Sequence, residues 1–355
     1  MAGPRAESGV VFVSLDADTL GGMQRVTHLL AQGLAERGHR VHVVGINRSA
    51  APFRHVAEPA YRRLTLQRPI GGPSRRRLAR LFRSLRTGYV IMTSPAAVAW
   101  TRGMLPEHLF GVGQYHGSYE HARATWHLRS IRRHYPHLDQ AVFLSPEDAW
   151  RFTEDCLLPH AVHVPNPLPA WPGEASPLTG RRVLGVGRLA GVKRFDRLIS
   201  AFAAACAAVP ERWELHLIGE GEEEARLRAQ AAAEGVADRV VFRGRVPAER
   251  MPEHYLGGSI LALTSDHEGL PLAVAEAASY GVPAVAFDVS GGVRALAERL
   301  VPPGDLAAFA AELARLMGDL ATRRRLGAAA RAKAAAYRPG RVLDRWEELF
   351  AWLHR

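Results

Sequence analysis

Two glutamates and two cations hold the residue types in this chain that could do chemistry on a phosphorylated sugar. Glu268 and Glu276 bracket Gly269-Leu270-Pro271 and the start of an apolar, alanine-rich segment. A helix opening near Pro271 puts Glu276 just over one turn inside it. Glu268 then stands on the loop ahead of the N-terminus, where unpaired N–H groups favour an anion. One carboxylate suits the hydroxyls of a sugar and the other those of a ribose, with a diphosphate across the bare helix end. On spacing alone a second reading stands beside it, in which a loop glutamate and a helix-face glutamate make ordinary ion pairs. Either way a buried carboxylate needs a partner. Upstream, Gly187-Arg188-Leu189 and Lys193 place two cations on one strand-to-helix loop. A guanidinium fork and an ammonium point charge suit a diphosphate and the negative charge that develops on it as it leaves. Arg194 and Arg197 flank the stretch, so a solvated basic loop is the competing account.

These residues need elements to hold them, and the composition allows two domains. The chain has 355 residues and is 47% hydrophobic, enough for a substantial core. It contains no run of about 18 apolar residues. Its opening Met-Ala-Gly-Pro-Arg-Ala-Glu lacks the apolar stretch of a secretion signal, so the expected location is cytoplasmic, extending to the inner face of the membrane. Cys156 and Cys206 stand far apart and outside any metal-like or CxxC spacing, as ordinary reduced thiols do. The net charge of +11 belongs to the first half, which carries 21 basic against 12 acidic residues through Ala170; beyond it the count is 25 against 23.

Hydrophobic patterning predicts a strand at Val10–Ser14, a helix from Met23 to Arg37 and a strand at Arg40–Val44, a βαβ unit with Gly21-Gly22 at its turn. Paired glycines let a phosphate or sugar approach the backbone, although they do not form a G-x-G-x-x-G fingerprint. The proline-rich stretch Val164–Pro172 reads as a stiff linker. After it come strands at 182–186, 214–218, 239–242, 259–263 and 284–287, with helices at 195–208 and 222–234 and the glutamate-bearing helix between the last two strands. Alternating β and α elements predict doubly wound parallel sheets, whose ligands bind beyond the carboxyl ends of the strands. A last amphipathic helix covers Leu343–Leu353, with Trp346, Leu349, Phe350 and Leu353 on one side.

The blocks Gly187-Arg-Leu-Ala-Gly-Val-Lys193, Leu217-Ile-Gly-Glu-Gly221, Val241-Phe-Arg-Gly244 and Glu268-Gly-Leu-Pro271 with Glu276 occur in an order and spacing that resemble the donor domain of retaining, family 4 GT-B glycosyltransferases. Gly21-Gly22 and Val164-Pro-Asn166 resemble the same family more loosely. The resemblance implies an α/β GT-B fold of two Rossmann-like, doubly wound parallel-sheet domains facing a central cleft. Residues 1–168 would bind the acceptor and 169–336 the nucleotide sugar, with a helix at 337–355 returning toward the N-terminal domain.

It implies roles at matching positions. Arg188 and Lys193 would hold the donor diphosphate, Glu268 the sugar hydroxyls and Glu276 the ribose. Backbone at Gly269, Leu270 and Pro271 would touch sugar or phosphate, Gly219 would lie beside the donor, and the Arg243 region would face the base. Gly21 and Gly22 would close over the phosphates. His116, in Gly113-Gln-Tyr-His-Gly117, resembles the family's acceptor-domain histidine, which hydrogen-bonds a donor hydroxyl or orients the acceptor; with 16 histidines in the chain, an ordinary loop histidine is the competing account. Such enzymes retain anomeric configuration and need no cofactor or metal, and Asp16-Ala-Asp18 reads as loop chemistry. Two departures stand out: Arg194 where many relatives carry glycine, and the shortened Gly291–Gly304 segment beside the donor site.

The segment 74–86 sets six arginines around a stripe of Leu78, Leu81, Phe82 and Leu85. It suits an anionic membrane or an anionic acceptor, or else a helix packed on the sheet with its arginines in solvent. The expected function is transfer of a hexose-type sugar from a nucleotide diphosphate sugar, a UDP-sugar first, to a hydroxyl of a glycan, polyol-phosphate, lipid-linked or small-molecule acceptor. A sugar-nucleotide epimerase or hydrolase of the same fold is the alternative. A nucleic-acid binder fits less well, because the arginines are dispersed and no basic strand is interleaved with aromatics.

Overall fold

The computed structural model describes residues 8–66 and 72–354; the segment read for a secretion signal, residues 1–7, lies outside them. The chain divides into two compact units, one made of Met1–Pro169 with Pro339–Arg355 and the other of Ala170–Arg338.

In the first unit the strands are β1 (Gly9–Asp16), β2 (Arg40–Asn47), β3 (Arg62–Thr65), β4 (Gly88–Met92), β5 (Leu109–Gln114), β6 (Gln140–Phe143) and β7 (Ala161–His163). They form one parallel sheet in the order β3-β2-β1-β4-β5-β6-β7. Val10 through Val13 and Val90 through Met92 are wholly buried, as expected for parallel strands covered on both faces. The helix Gly22–Glu36 follows β1. Helix Gly72–Arg83 buries Leu78 and Phe82, with Leu85 just beyond its end, and turns Arg75, Arg76, Arg77, Arg80, Arg83 and Arg86 outward. The apolar stripe is therefore used in the core. The helix Pro339–Leu353 buries Val342, Leu343, Trp346, Leu349 and Phe350 in this unit. Phe350 stacks on Tyr89 at 4.0 Å, and the Tyr89 hydroxyl donates to the Phe350 carbonyl at 3.0 Å. Arg37 adds ion pairs to Asp344 at 2.8 Å and Glu347 at 2.7 Å.

In the second unit the strands are β8 (Arg182–Val186), β9 (Glu214–Ile218), β10 (Val240–Gly244), β11 (Ile260–Leu263), β12 (Ala284–Phe287) and β13 (Arg299–Val301). All are parallel, in the order β10-β9-β8-β11-β12-β13. Winding outward from the middle leaves β8 and β11 as neighbours with their connections departing in opposite directions. That is the topological switch point, where a crevice opens at the carboxyl ends of the strands. The loops after these two strands carry Arg188 with Lys193, and Glu268. The helix Phe195–Ala208 buries Phe195, Leu198, Ile199, Phe202 and Ala205, one stripe at i, i+3, i+4 and i+7, and so anchors the first of the two loops.

Both cysteines are free, and burial pushes the Cys156 thiol up to about 11, so it stays protonated.

Candidate functional site

The loop crest of the second unit is tied together by backbone. Gly187 N–H donates to Ile218 at 2.9 Å, Gly219 N–H to Gly244 at 2.9 Å and Leu189 N–H to Glu220 at 2.9 Å. At Gly219 the φ is +144°, and a Cβ there would sit 1.9 Å from the Gly187 carbonyl oxygen. Only glycine lets these strand ends approach so closely.

At the switch point Lys193 Nζ meets Glu268 Oε1 at 2.7 Å. The Glu268 side chain is 9% exposed and that of Lys193 26%, so the buried carboxylate has the cation it needs. The surrounding loops are joined by further bonds. The Thr264 hydroxyl donates to the Arg194 carbonyl at 2.9 Å, and Asp266 N–H to the Val192 carbonyl at 2.9 Å. Arg197 pairs with Asp266 at 2.6 Å. Arg194 itself takes left-handed angles, φ 50° and ψ 47°, at the head of the helix Phe195–Ala208. A non-glycine residue there costs about 1–2 kcal/mol. Its guanidinium faces Asp196 through two bonds of 3.0 and 2.9 Å and reaches Asp266 at 3.4 Å. Burial alone would raise the Asp196 carboxyl, but the Arg194 guanidinium and the Arg197 backbone N–H bring it below the usual range.

The helix opens at Leu272, behind Pro271, with no side chain capping its N-terminus. Glu276 lies one turn inside, 6% exposed, and accepts from the Tyr255 hydroxyl at 2.9 Å. Ahead of the helix, Gly269 and buried Leu270 rest on the segment after β12. The Ser290 hydroxyl donates to the Gly269 carbonyl at 3.2 Å, and a Cβ on Gly292 would lie 1.9 Å from that same oxygen. The Ser290–Gly292 segment thus forms the floor under Gly269 and Leu270.

Arg188 extends outward, its side chain 72% exposed and 4.0 Å from Glu222. Arg243, also exposed, donates to His216 Nδ1 at 3.4 Å, while His216 Nε2–H donates to Glu214 at 2.8 Å. Lys193 and Glu268 are therefore in contact, with Gly269, Leu270, Pro271 and Glu276 following on one loop and helix; Gly219 and Arg243 end the neighbouring strands.

Gly21, Gly22 and His116 belong to the first unit. Gly21 stands at the N-cap of the helix Gly22–Glu36, again with no side-chain cap. Asp16 Oδ1 accepts from the N–H groups of Asp18 and Thr19 at 3.0 and 3.1 Å, and Asp18 pairs with Arg63. The two aspartates thus shape the turn. His116 follows β5 with both ring nitrogens buried and no hydrogen-bond partner among the described residues. Burial pushes its pKa down to about 4, leaving a neutral imidazole at ordinary pH.

Tyr255, Ser290, Gly292 and the Arg194–Asp196–Asp266–Arg197 cluster were not identified as site residues from sequence. Apart from Arg194 and Asp196, which stand two residues apart, their partners lie 21 to 72 positions away, at spacings that no local periodicity marks. Only the buried carboxylate at 276 signalled that some donor had to exist.

The family profile described as Glycosyl transferases group 1 matches residues 172–333, and that of Glycosyltransferase Family 4 matches residues 20–183. An exopolysaccharide phosphotransferase of Streptomyces coelicolor is 32% identical over 285 residues, which cover 78% of this chain and 30% of that protein. The chain thus spans under a third of that relative's length. Among solved structures, a lipopolysaccharide outer core galactosyltransferase in its apo form superposes with a TM-score of 0.76 at 18% identity, over 97% of this chain and 99% of the other. An Anabaena protein in complex with UDP and glucose superposes with a TM-score of 0.77 at 17% identity, over 97% and 99%. At such identities the likeness establishes the fold, and that fold is GT-B.

Proposed function

Because the chain belongs to the group 1, family 4 glycosyltransferases of GT-B fold, we propose that it transfers a hexose-type sugar from a UDP-sugar to a hydroxyl acceptor with retention of anomeric configuration. The observation that carries this reading is the 2.7 Å contact of Lys193 with Glu268 at the switch point, ahead of the uncapped helix Leu272–Ser279. An anion arriving there finds an ammonium group, an exposed guanidinium at Arg188 and free helix N–H groups. As the diphosphate draws Lys193 away, Glu268 is released to accept from sugar hydroxyls. Glu276, held by Tyr255, is assigned the ribose, Arg243 the base, and the backbone of Gly269, Leu270 and Pro271 the sugar and phosphates.

Chemistry then follows from charge placement. Lys193 and Arg188 stabilise the charge that grows on the β-phosphate as the glycosidic bond breaks, which supplies the role a metal would otherwise fill. The departing phosphate takes the acceptor's proton on the same face. His116, neutral at working pH, offers a hydrogen bond to a sugar or acceptor hydroxyl and no positive charge. Gly21 and Gly22, at a second uncapped helix start, are assigned the phosphates. The basic first half suits an anionic glycan or polyol-phosphate acceptor.

A thermal-shift panel of UDP-, GDP-, ADP- and TDP-sugars tests the donor, since a ligand that binds only the native state raises its melting temperature. UDP-sugars are expected to give the largest rise; no rise with any of the four would overturn the reading. Product analysis with added acceptor is expected to yield an α-configured glycoside from an α-linked donor. Free or epimerised sugar in its place would favour hydrolysis or epimerisation.

A further inference from the structure

Arg194 occupies the one position in the 187–197 stretch where a side chain stands at left-handed backbone angles, and its guanidinium spans two loops. It binds Asp196 at the head of the helix Phe195–Ala208 through two nearly equal bonds and reaches Asp266 after β11. Arg197 takes the other oxygen of Asp266 at 2.6 Å. The Thr264 hydroxyl, donating to the Arg194 carbonyl, and the Asp266 N–H, donating to that of Val192, run along the same seam. The tip of this seam is the Lys193–Glu268 pair. Lys193 directly precedes Arg194, so the angles at 194 set the direction in which the lysine leaves the loop, and Asp266 lies two residues before Glu268.

We propose that Arg194 is a positioning residue, whose bridge between Asp196 and Asp266 holds the loop bearing Lys193 against the loop bearing Glu268 so that both face one bound diphosphate sugar. This rests on the reading of Lys193 and Glu268 as donor-contacting groups. The planar fork matters, since it meets one carboxylate with two parallel bonds and a second with its remaining N–H; an ammonium group at the same position reaches only one of them well. Glycine adopts the left-handed angles without strain. Arg194→Gly therefore removes the bridge while easing the backbone, which separates positioning from folding.

The test measures UDP affinity and ligand-free melting temperature for the full chain, Lys193→Ala, Arg194→Gly, Arg194→Lys and the Lys193→Ala/Arg194→Gly double variant. Arg194→Gly is expected to melt within roughly 3 °C of the parent yet to bind UDP roughly tenfold more weakly, the size of an ordinary coupling between groups in contact. Arg194→Lys should recover only part of that loss. In the double variant the second substitution should add little, because Arg194 acts through Lys193. Wild-type UDP affinity in Arg194→Gly alongside a weakened Lys193→Ala overturns the positioning role, as do losses that simply multiply in the double variant. An unaffected Lys193→Ala instead removes the donor-site reading itself. Should Arg194→Gly fail to fold, Asp266→Asn breaks the far end of the bridge with the left-handed residue left in place, and the same affinity comparison decides.

Discussion

The Tyr255 hydroxyl stands 2.9 Å from Glu276 Oε2, joining the helix that precedes β11 to the helix that follows it. Tyr255 is itself 1% exposed and stacks on Tyr280 at 5.3 Å, so its ring is fixed before any ligand arrives. Removing the hydroxyl as Tyr255→Phe takes one hydrogen bond from a buried carboxylate, at a cost of about 1–3 kcal/mol. Denaturant unfolding should show this loss. If Glu276 orients a ribose, UDP affinity falls with it; an unchanged UDP affinity in a destabilised Tyr255→Phe would detach Glu276 from the nucleotide.

Glu268 and Glu276 are expected to fail differently. Glu276→Ala should weaken free UDP and UDP-sugar alike, because the ribose is common to both. Glu268→Ala should leave UDP affinity near that of the parent and lower turnover and the preference among UDP-sugars. Titration with UDP and with UDP-glucose separates the two, and equal effects of both substitutions on both ligands would contradict the assignment.

The floor under the donor loop gives a steric prediction. Gly292→Ala places a methyl 1.9 Å from the Gly269 carbonyl oxygen, so the 269–271 backbone must move. Both the fold and the donor site should respond, with UDP affinity down by more than about tenfold, since such a displacement costs more than 1.4 kcal/mol. Gly318→Ala has no neighbour within 4 Å of the added carbon and is the matched control. Similar UDP binding by the two variants would show that the segment after β12 does not shape the site.

Much of this architecture was legible because parallel strands buried on both faces leave runs such as Val10–Phe12 and Leu261–Leu263, and because glycines mark loops at strand ends. The helix Phe195–Ala208 matched its predicted bounds because its apolar stripe is regular. The helix carrying Glu276 opened where Pro271 indicated. Other elements gave weaker signals. The short strand β6 and the helix His127–His134 were missed, the latter because its inward side is marked by only Leu128 and Ile131, too few apolar residues over eight positions to stand out. Site partners such as Tyr255 and Ser290 were illegible for a different reason: tertiary proximity places them, and no local rule encodes it.

His116 predicts a pH dependence. Its pKa is near 4 in the folded protein, through burial, against about 6.5 in an unfolded chain. Below pH 6.5 the unfolded state takes up a proton that the native state refuses, so stability is full above about 6.5 and is lost as the pH falls toward 4. Between pH 7.5 and 5 this one group accounts for up to about 2 kcal/mol. His116→Gln should lose correspondingly less stability over that interval in denaturant titrations. Parallel curves for parent and variant would mean that the imidazole is solvated.

The arginine face of the first unit yields the last prediction. Residues 72–137 carry eleven arginines against Glu107 and Glu120, and the six between Arg75 and Arg86 are exposed while Leu78 and Phe82 are 0% accessible. With its apolar stripe enclosed, the helix Gly72–Arg83 has nothing to insert into a bilayer, and any hold on an anionic surface is electrostatic. Each arginine near such a surface contributes about 1 kcal/mol, within a screening distance that shrinks from roughly 10 Å at 0.1 M salt to 3 Å at 1 M. The chain is therefore expected to co-sediment with anionic vesicles at low salt and to be released by high salt. Reversing Arg76, Arg77 and Arg80 to glutamate should abolish the association without shifting the melting temperature, since none of the three contributes to the core. Binding that survives high salt, or that extends to neutral vesicles, would require an apolar contact elsewhere on the unit.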